Sequence, residues 1–268
     1  MGASLAGRRI LVTRDAAKAG QTAAAIEERG GVAVVFPTIG FAAPEPTAPL
    51  LEALAAVHAF DYVVVTSPTG AAVLADGVGS SGLVPDAMGR PRFAAVGRST
   101  AAALEKAGAT GVLVPAREDG DGLLQALLAD GASAGRVLVL RAQAGREVVI
   151  DGLRAAGGNV ESVVAYRTVT ASHTPEEVAA LLGADALDAA LFLSPSSLDG
   201  LFEILGDDAA RRILRCALVV AIGPTTAMAL EARGIKPGLV PSRPDLGVVL
   251  DGLADALAGR SDDSGRSS

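Results

Sequence analysis

The chain has 268 residues, half of them hydrophobic, with 3% aromatics, no tryptophan and a formal charge of −7. That length and composition predict one large or two medium domains with cores of Ala, Val, Leu and Ile. An acidic chain without a Lys/Arg cluster repels a phosphate backbone, which argues against nucleic acid as a partner. One cysteine, Cys216, excludes an internal disulfide and suits a reducing compartment. Its setting, "RCALVVAIG", predicts a small residue inside a strand core. No apolar run reaches the roughly 18 residues of a bilayer span, and the start lacks a signal-length apolar region. The expectation is a cytoplasmic protein with no membrane association.

In chain order, "RILV" (9–12) reads as a strand and "QTAAAIEERG" (21–30) as a helix closed by Gly30, where a left-handed cap favours glycine. "VAVVF" (32–36) and "DYVVVTS" (61–67) read as further strands. "GAAVLAD" (70–76) reads as helical, and "GVGSSG" (77–82) as a surface loop. "FAAVG" (93–97) reads as a strand, "TAAALEKAG" (100–108) as a helix capped by Gly108, "GVLVP" (111–115) as a strand and "DGLLQALLADG" (121–131) as a helix. The same alternation then runs again, through "RVLVLR" (136–141), "VVAYRTVT" (163–170), "DAALFLS" (188–194) and "VVAIG" (219–223). The end, "GRSDDSGRSS", is polar and predicts disorder over 261–268.

That second run is a copy. "AVGRSTAAALEKAG" (95–108) and "AIGPTTAMALEARG" (221–234) share eight of fourteen residues. Residues 9–41 match 136–168, and 61–129 match 188–257. Arg9 falls on Arg136, Asp61 on Asp188 and Ser67-Pro68 on Ser194-Pro195. A period near 127 is too long for a solenoid and predicts two similar domains. Strands alternating with helices predict a parallel sheet covered on both faces in each. A tandem and a crossed arrangement satisfy the repeat equally.

Ligands of such sheets bind beyond the carboxyl ends of the strands. Four small-hydroxyl turns are predicted there: Thr66-Ser67, Gly97-Arg98-Ser99-Thr100, Ser194 with Ser196 and Ser197, and Gly223-Pro224-Thr225-Thr226. Thr100 and Thr226 are candidate helix caps. Backbone N–H groups freed at such termini attract anions. Each turn therefore reads either as a satisfied cap or as part of a site for a ligand with several negative groups. If the two domains face each other, all four turns line one cleft.

The remaining motifs exclude more than they assign. "GVGSSG" matches a dinucleotide fingerprint in letters but lacks the strand before it and the helix after it. No Walker A motif, Gly-x-Ser-x-Gly elbow or metal-ligand spacing is present, and His58 and His173 stand alone. Glu27-Glu28 and Glu176-Glu177 read as solvated helix residues. Tyr62 reads as core. Tyr166 reads as a packed strand ring or as a phenol donor, since a pKa near ~10 keeps it protonated at neutral pH. Arg14, Arg141 and Arg146 end or follow strands, positions that suit carboxylate binding or the solvated surface. No cofactor or metal is expected.

In order along residues 8–258, "ILVTR", "FPTI", "DYVVVTSPTGA", "AVGRSTAAAL", "YRT", "SPSSLDGL" and "AIGPTTAMALEARG" together resemble the uroporphyrinogen-III synthase family. The resemblance implies two doubly wound α/β domains joined by a two-stranded β linker, with crossed connectivity and a cleft between them. Domain one would be 1–36 plus 172–260, domain two 43–162, and the linkers 37–42 and 163–171. It implies a monomeric, cofactor-free lyase of porphyrin and heme biosynthesis. That activity cyclises hydroxymethylbilane, a linear tetrapyrrole polycarboxylate, to uroporphyrinogen III with loss of water and inversion of ring D. Tyr166 matches the family tyrosine, the candidate acid for the leaving hydroxyl. Thr100 and Thr226 match its paired threonines, with Ser67 and Ser194 beside them as carboxylate binders. The alternatives are a two-lobed binder of a polyanionic small molecule, without chemistry, and a nucleotide-dependent enzyme, against which the missing phosphate motifs argue.

Overall fold

The computed structural model describes residues 4–80, 91–183, 186–243 and 245–264. By contact density the chain divides into two compact units, Met1–Gly40 with Val169–Ser268, and Phe41–Thr168. The first unit holds β1 (Arg9–Val12), α1 (Ala16–Glu27) and β2 (Val32–Val35). Both divisions fall inside strands, β3 (Ile39–Ala42) and β7 (Asn159–Thr170). The second unit holds α2 (Ala48–Ala55), β4 (Tyr62–Val65), α3 (Pro68–Ser80), β5 (Arg92–Ala95) and α4 (Arg98–Lys106). It continues through α5 (Gly120–Ala129), β6 (Arg136–Ala142) and α6 (Val148–Ala155). The chain then returns to the first unit with α7 (Pro175–Gly183), β8 (Ala189–Phe192), α8 (Pro195–Leu205) and α9 (Asp207–Leu214). β9 (Leu218–Ala221), α10 (Pro224–Ala232) and α11 (Leu246–Ser264) complete it.

The sheet orders are β2-β1-β8-β9 and β3-β7-β6-β4-β5. β1 pairs in parallel with β2 and β8, and β8 with β9. In the second sheet β6 pairs in parallel with β7 and β4, and β4 with β5. Under the 127-residue repeat these are the same four strands in the same order. A central strand of each sheet thus lies beside a strand from a distant part of the chain, Leu11 beside Ala190 in the first.

An aspartate joins three strands in each unit. The Asp188 N–H donates to the Arg9 carbonyl at 2.9 Å, and its own carbonyl accepts from Leu218 N–H at 2.8 Å. Its carboxylate accepts from Arg9 N–H at 2.8 Å and from the Arg8 guanidinium at 2.7 Å. Asp61 repeats this with Arg136 and Arg92: its N–H donates at 2.9 Å, its carbonyl accepts at 2.8 Å and its carboxylate accepts from Arg136 N–H at 2.7 Å.

Strand faces alternate. Leu11 joins Phe36, Phe192 and Leu201 on one side of the first sheet, while Ile10 and Val12 join Ile26, Leu250 and Leu253 on the other. In the second sheet Val63 and Val65 pack with Leu74, Phe93 and Leu104, and Tyr62 and Val64 with Leu123 and Leu153. Burying each such side chain is worth roughly 1.5–3 kcal/mol, which makes two-sided coverage the main stabilising term. Tyr62 is core as expected, its hydroxyl donating to Asp130. Gly30 and Gly108 take positive φ at the helix ends, as do their copies Gly157 and Gly234.

Four local readings need correction. "GVLVP" makes one isolated bridge, Leu113 to Ala94, held by the N–H and carbonyl of Leu113 alone. Gly77–Ser80 of "GVGSSG" is the last turn of α3, with Ser81 and Gly82 outside the described residues. A Cβ on Gly77 would stand 2.4 Å from Leu54, so the glycine serves close helix packing. Cys216 is exposed, since β9 begins only at Leu218. α11 carries residues 261–264 in helix. Once nucleated by an Ala/Leu-rich stretch, a helix gains one hydrogen bond per added residue and runs on into polar sequence. Residues 265–268 lie outside the described residues.

Gly200, inside α8, faces the chain where it leaves β2: a Cβ there would lie 2.2 Å from the Thr38 carbonyl oxygen. Gly20, inside α1, meets nothing within 4 Å. Gly20→Ala is therefore expected to raise stability by about 0.5–1 kcal/mol. Gly200→Ala is expected to lower it by about 1–3 kcal/mol, because backbone must move. Urea unfolding of both variants checks the opposite signs.

Candidate active site

All four predicted turns follow carboxyl ends of strands: β4 into Thr66-Ser67, β5 into Gly97, β8 into Ser194 and β9 into Gly223. They fall into two chemical kinds. Ser67 and Ser194 cap their own helices: Ser67 Oγ accepts from Gly70 N–H at 3.0 Å, and Ser194 Oγ from Ser197 N–H at 3.2 Å. At α4 and α10 the capping positions are glycines in extended backbone, Gly97 and Gly223, so neither helix is capped by the side chain of its own capping residue. Thr100 and Thr226 are thus not the caps that the sequence predicted. Each is the third helical residue and buried, 1% and 2% exposed, because the residue with non-helical backbone lies three positions earlier.

An uncapped first turn leaves N–H groups without acceptors. Among the described residues these are, at α10, on Thr225 and Thr226, and a Cβ on Gly223 would meet nothing within 4 Å. At α4 the seat is taken. The Glu118 carboxylate accepts from Arg98 N–H at 2.9 Å, and its other oxygen lies 3.4 Å from Arg98 Nε. A Cβ on Gly97 would stand 2.5 Å from that carboxylate, so a side chain there would push it out of this position. The repeat places Pro244 opposite Glu118. Sequence reading missed Glu118, and this acid-to-proline difference was its available signal.

Tyr166 lies in β7 just past an irregularity in its pairing with β6. Its ring is 8% exposed and meets Phe41 edge-on, with centroids 5.2 Å apart. Its hydroxyl donates to Ser67 Oγ at 2.9 Å. A serine hydroxyl accepts twice and donates once. Gly70 N–H and the tyrosine fill both acceptor positions, so Ser67 is left with its own O–H to offer. The half-buried Ser67 stands nearer solvent than the phenol behind it.

The other predicted residues are placed less uniformly. Thr66 is half-buried, with its hydroxyl 3.5 Å from the Leu140 carbonyl. Ser99 is exposed beside Arg98. Arg141 serves its own unit, donating to Ser162, Ala142 and Gln143 and pairing with Glu147 at 2.9 Å. Arg146 is exposed in the loop before α6. Arg14, half-buried after β1, has no hydrogen-bond or ion-pair partner among the described residues. Ser196 Oγ lies 3.0 Å from Ser194 Oγ. Ser197 is buried; its hydroxyl donates to the Ser194 carbonyl and its own carbonyl accepts from Thr38 at 2.6 Å. Pro224 and Thr225 are exposed. Glu177 is no plain solvated residue, since it exchanges hydrogen bonds with Thr174 in a capping box. Among the described residues no three His, Cys, Asp or Glu side chains are grouped to hold a metal ion, and no helix is long and apolar enough to cross a membrane.

Comparison with known proteins adds a family. The HEM4 model, described as uroporphyrinogen-III synthase HemD, matches residues 20–251. A putative uroporphyrinogen-III synthase of Methanothermobacter thermautotrophicus is 30% identical over 240 residues, covering 87% of this chain and 92% of that protein. The uroporphyrinogen-III synthase of Synechococcus elongatus is 28% identical over 236 residues, covering 85% and 87%. Among solved structures, a mutant uroporphyrinogen III synthase from Thermus thermophilus shares the fold at TM-score 0.58 and 24% identity, over 94% of this chain and all of that one. The Helicobacter pylori uroporphyrinogen-III synthetase does so at TM-score 0.57 and 15% identity, over 96% and 99%.

The two glycine-capped helices are expected to differ toward a free carboxylate. Titrating acetate should move the Thr225 and Thr226 amide resonances in nitrogen-correlated NMR spectra and leave that of Arg98 in place. In Glu118→Ala the Arg98 amide should respond as well. A wild-type Arg98 amide that follows acetate as strongly as Thr225 would show that Glu118 does not hold the seat.

Proposed function

Because this chain belongs to the uroporphyrinogen-III synthase family, we propose that it cyclises hydroxymethylbilane to uroporphyrinogen III, with loss of water and inversion of ring D. The observation that carries the reading is the Tyr166–Ser67 pair, a buried phenol donating to a serine whose O–H remains to be given. The reaction needs a proton at the ring A hydroxyl. In our reading Ser67 donates to that oxygen while Tyr166 donates to Ser67. The carbon–oxygen bond breaks, water leaves, and an azafulvene cation remains. Ring D attacks it through its substituted carbon, and the spiro intermediate fragments and recloses. The proton released as the last pyrrole re-aromatises restores the donor pair. No redox step or metal enters this balance.

The substrate carries eight side-chain carboxylates, and the uncapped turn of α10 is a seat for one of them. Hydrogen bonds from oriented N–H groups to a carboxylate are charge-assisted and short. Holding the linear chain so that ring D meets the cation supplies much of the remaining acceleration. This gives a chain of negative formal charge local handles for a polyanion.

The reaction is tested by generating hydroxymethylbilane in situ, adding the protein without metal or nucleotide, oxidising, and separating uroporphyrins I and III. Isomer III is expected. Isomer I alone, from folded protein, would overturn the enzymatic reading and leave a binder of polyanionic small molecules.

Tyr166→Phe is expected to lower kcat about 10- to 100-fold, up to the lower limit of what one positioned acid contributes, because Ser67 keeps its own O–H. Ser67→Ala should fall in the same range and add little to the tyrosine variant, because the two act as one relay. A kcat untouched by Tyr166→Phe would remove the phenol from the mechanism.

A further inference from the structure

The first residues of the two matching strands are both arginines, in different surroundings. Arg136 opens β6 with its guanidinium over the Phe60 ring, 4.9 Å from the centroid, and donates to the Ala59 carbonyl at 3.4 Å. Arg9 opens β1 at the same point of the repeat. Its guanidinium has no partner among the described residues, and its Nε is shielded from solvent without an acceptor. A guanidinium without a protein partner keeps its charge and its N–H donors to offer to a ligand.

Arg9 lines a cavity of about 370 Å³ with Val34, Phe36, Leu181, His173 and Glu177, all within one unit. Arg9 shares a strand face with Leu11, which packs with Phe36 and Leu181. The guanidinium thus borders an apolar chamber beside β2, the outer strand of its sheet. The other polar groups of the chamber are engaged. The His173 ring stacks on Phe36 with centroids 4.0 Å apart, and its Nε2 lies 2.6 Å from the Pro37 carbonyl. Its Nδ1 lies 3.2 Å from Glu177 Oε2, which also accepts from Thr174 N–H at 2.9 Å. That backbone hydrogen bond, with His173 adding to it, holds the Glu177 carboxyl below the usual carboxylate range. No residue of the four turns lines the chamber.

We propose that this chamber is a second ligand site, taking a small organic monocarboxylate with its oxygens on Arg9 and its apolar body against Phe36 and Leu181. The volume suits a small molecule. One free cationic donor selects one anionic group, and the ionised Glu177 disfavours a second. The site is independent of the proposed reaction.

The protein has two histidines, His58 and His173, so imidazole resonances report on the chamber directly. His58, exposed in the other unit, is the internal control. Titrating benzoate into histidine-labelled protein should move the His173 signals saturably and leave those of His58 in place. Benzamide, the neutral isostere, should move them at most about a tenth as far at equal concentration. Arg9→Met breaks no side-chain hydrogen bond and should weaken benzoate at least ~10-fold, as expected for a lost charge-assisted contact. Absence of a saturable His173 shift overturns the site. So does an equal response to benzamide, which decides the matter on wild-type protein even if Arg9→Met fails to fold. Unchanged benzoate affinity in folded Arg9→Met removes Arg9 from it.

Discussion

Each sheet is organised around an aspartate that joins three strands where they begin. Asp188 bonds to Arg9 and Leu218, and Asp61 to Arg136 and Arg92, through N–H, carbonyl and carboxylate together. In parallel sheets the hydrogen bonds are slanted and neighbouring strands come from distant parts of the chain. A residue that fixes three starts therefore fixes the register, and a slip of one position would turn every side chain to the opposite face. Because the starts are aligned, the carboxyl ends are aligned too, and Thr66, Gly97, Ser194 and Gly223 emerge at one end of their own sheets. The positions of the turns thus follow from hydrogen bonds made at the far ends of the strands.

The duplication gave each unit the same frame, and the chemistry lies in how the copies have parted. Ser67 and Ser194 both cap a helix, yet only Ser67 has a tyrosine behind it. Gly97 and Gly223 both leave a helix uncapped, yet only Gly97 faces a carboxylate of the protein itself. Glycine at both positions has distinct reasons: at Gly97 a side chain would collide with Glu118, and at Gly223 the space is open. A carboxylate already seated on α4 shows what such a turn accepts. The copy has Pro244 at that position in the sequence, a residue without a carboxylate, and among the described residues no side chain caps the donors of Thr225 and Thr226.

The strands, the left-handed glycine caps and the repeat were legible because each rests on local chemistry: β-branched apolar runs, φ above zero, and ordered identities. The turns were legible because strand-to-helix junctions carry small residues. What was not legible depends on neighbours distant in sequence. Thr100 and Thr226 read as caps by composition, while glycine three residues earlier takes that position in space. Arg141 reads as a free cation, yet its guanidinium folds back on Ser162 and Glu147. Cys216 reads as core because apolar residues follow it, but the strand starts two residues later. "GVLVP" has strand composition, and only one of its residues finds a bridge.

Counting donors and acceptors gives Tyr166 its meaning. Alone, a tyrosine 8% exposed is an ordinary packed residue. Its hydroxyl must still find an acceptor, and it finds Ser67 Oγ, which already accepts from Gly70 N–H. With both acceptor positions filled, the serine presents only a donor. In the proposed reaction an acid is thereby relayed outward from an apolar interior without exposing the phenol. The other copy shows that the fold does not require this. The residue matching Tyr166 is Ile39, 9% exposed, and Ser194 there shares its hydroxyl with Ser196 instead. The same strand position carries a donor in one unit and a hydrocarbon in the other. Packing alone is met by both residues, so packing does not account for the hydroxyl of Tyr166, and its bond to Ser67 is the feature on which the proposed proton relay rests.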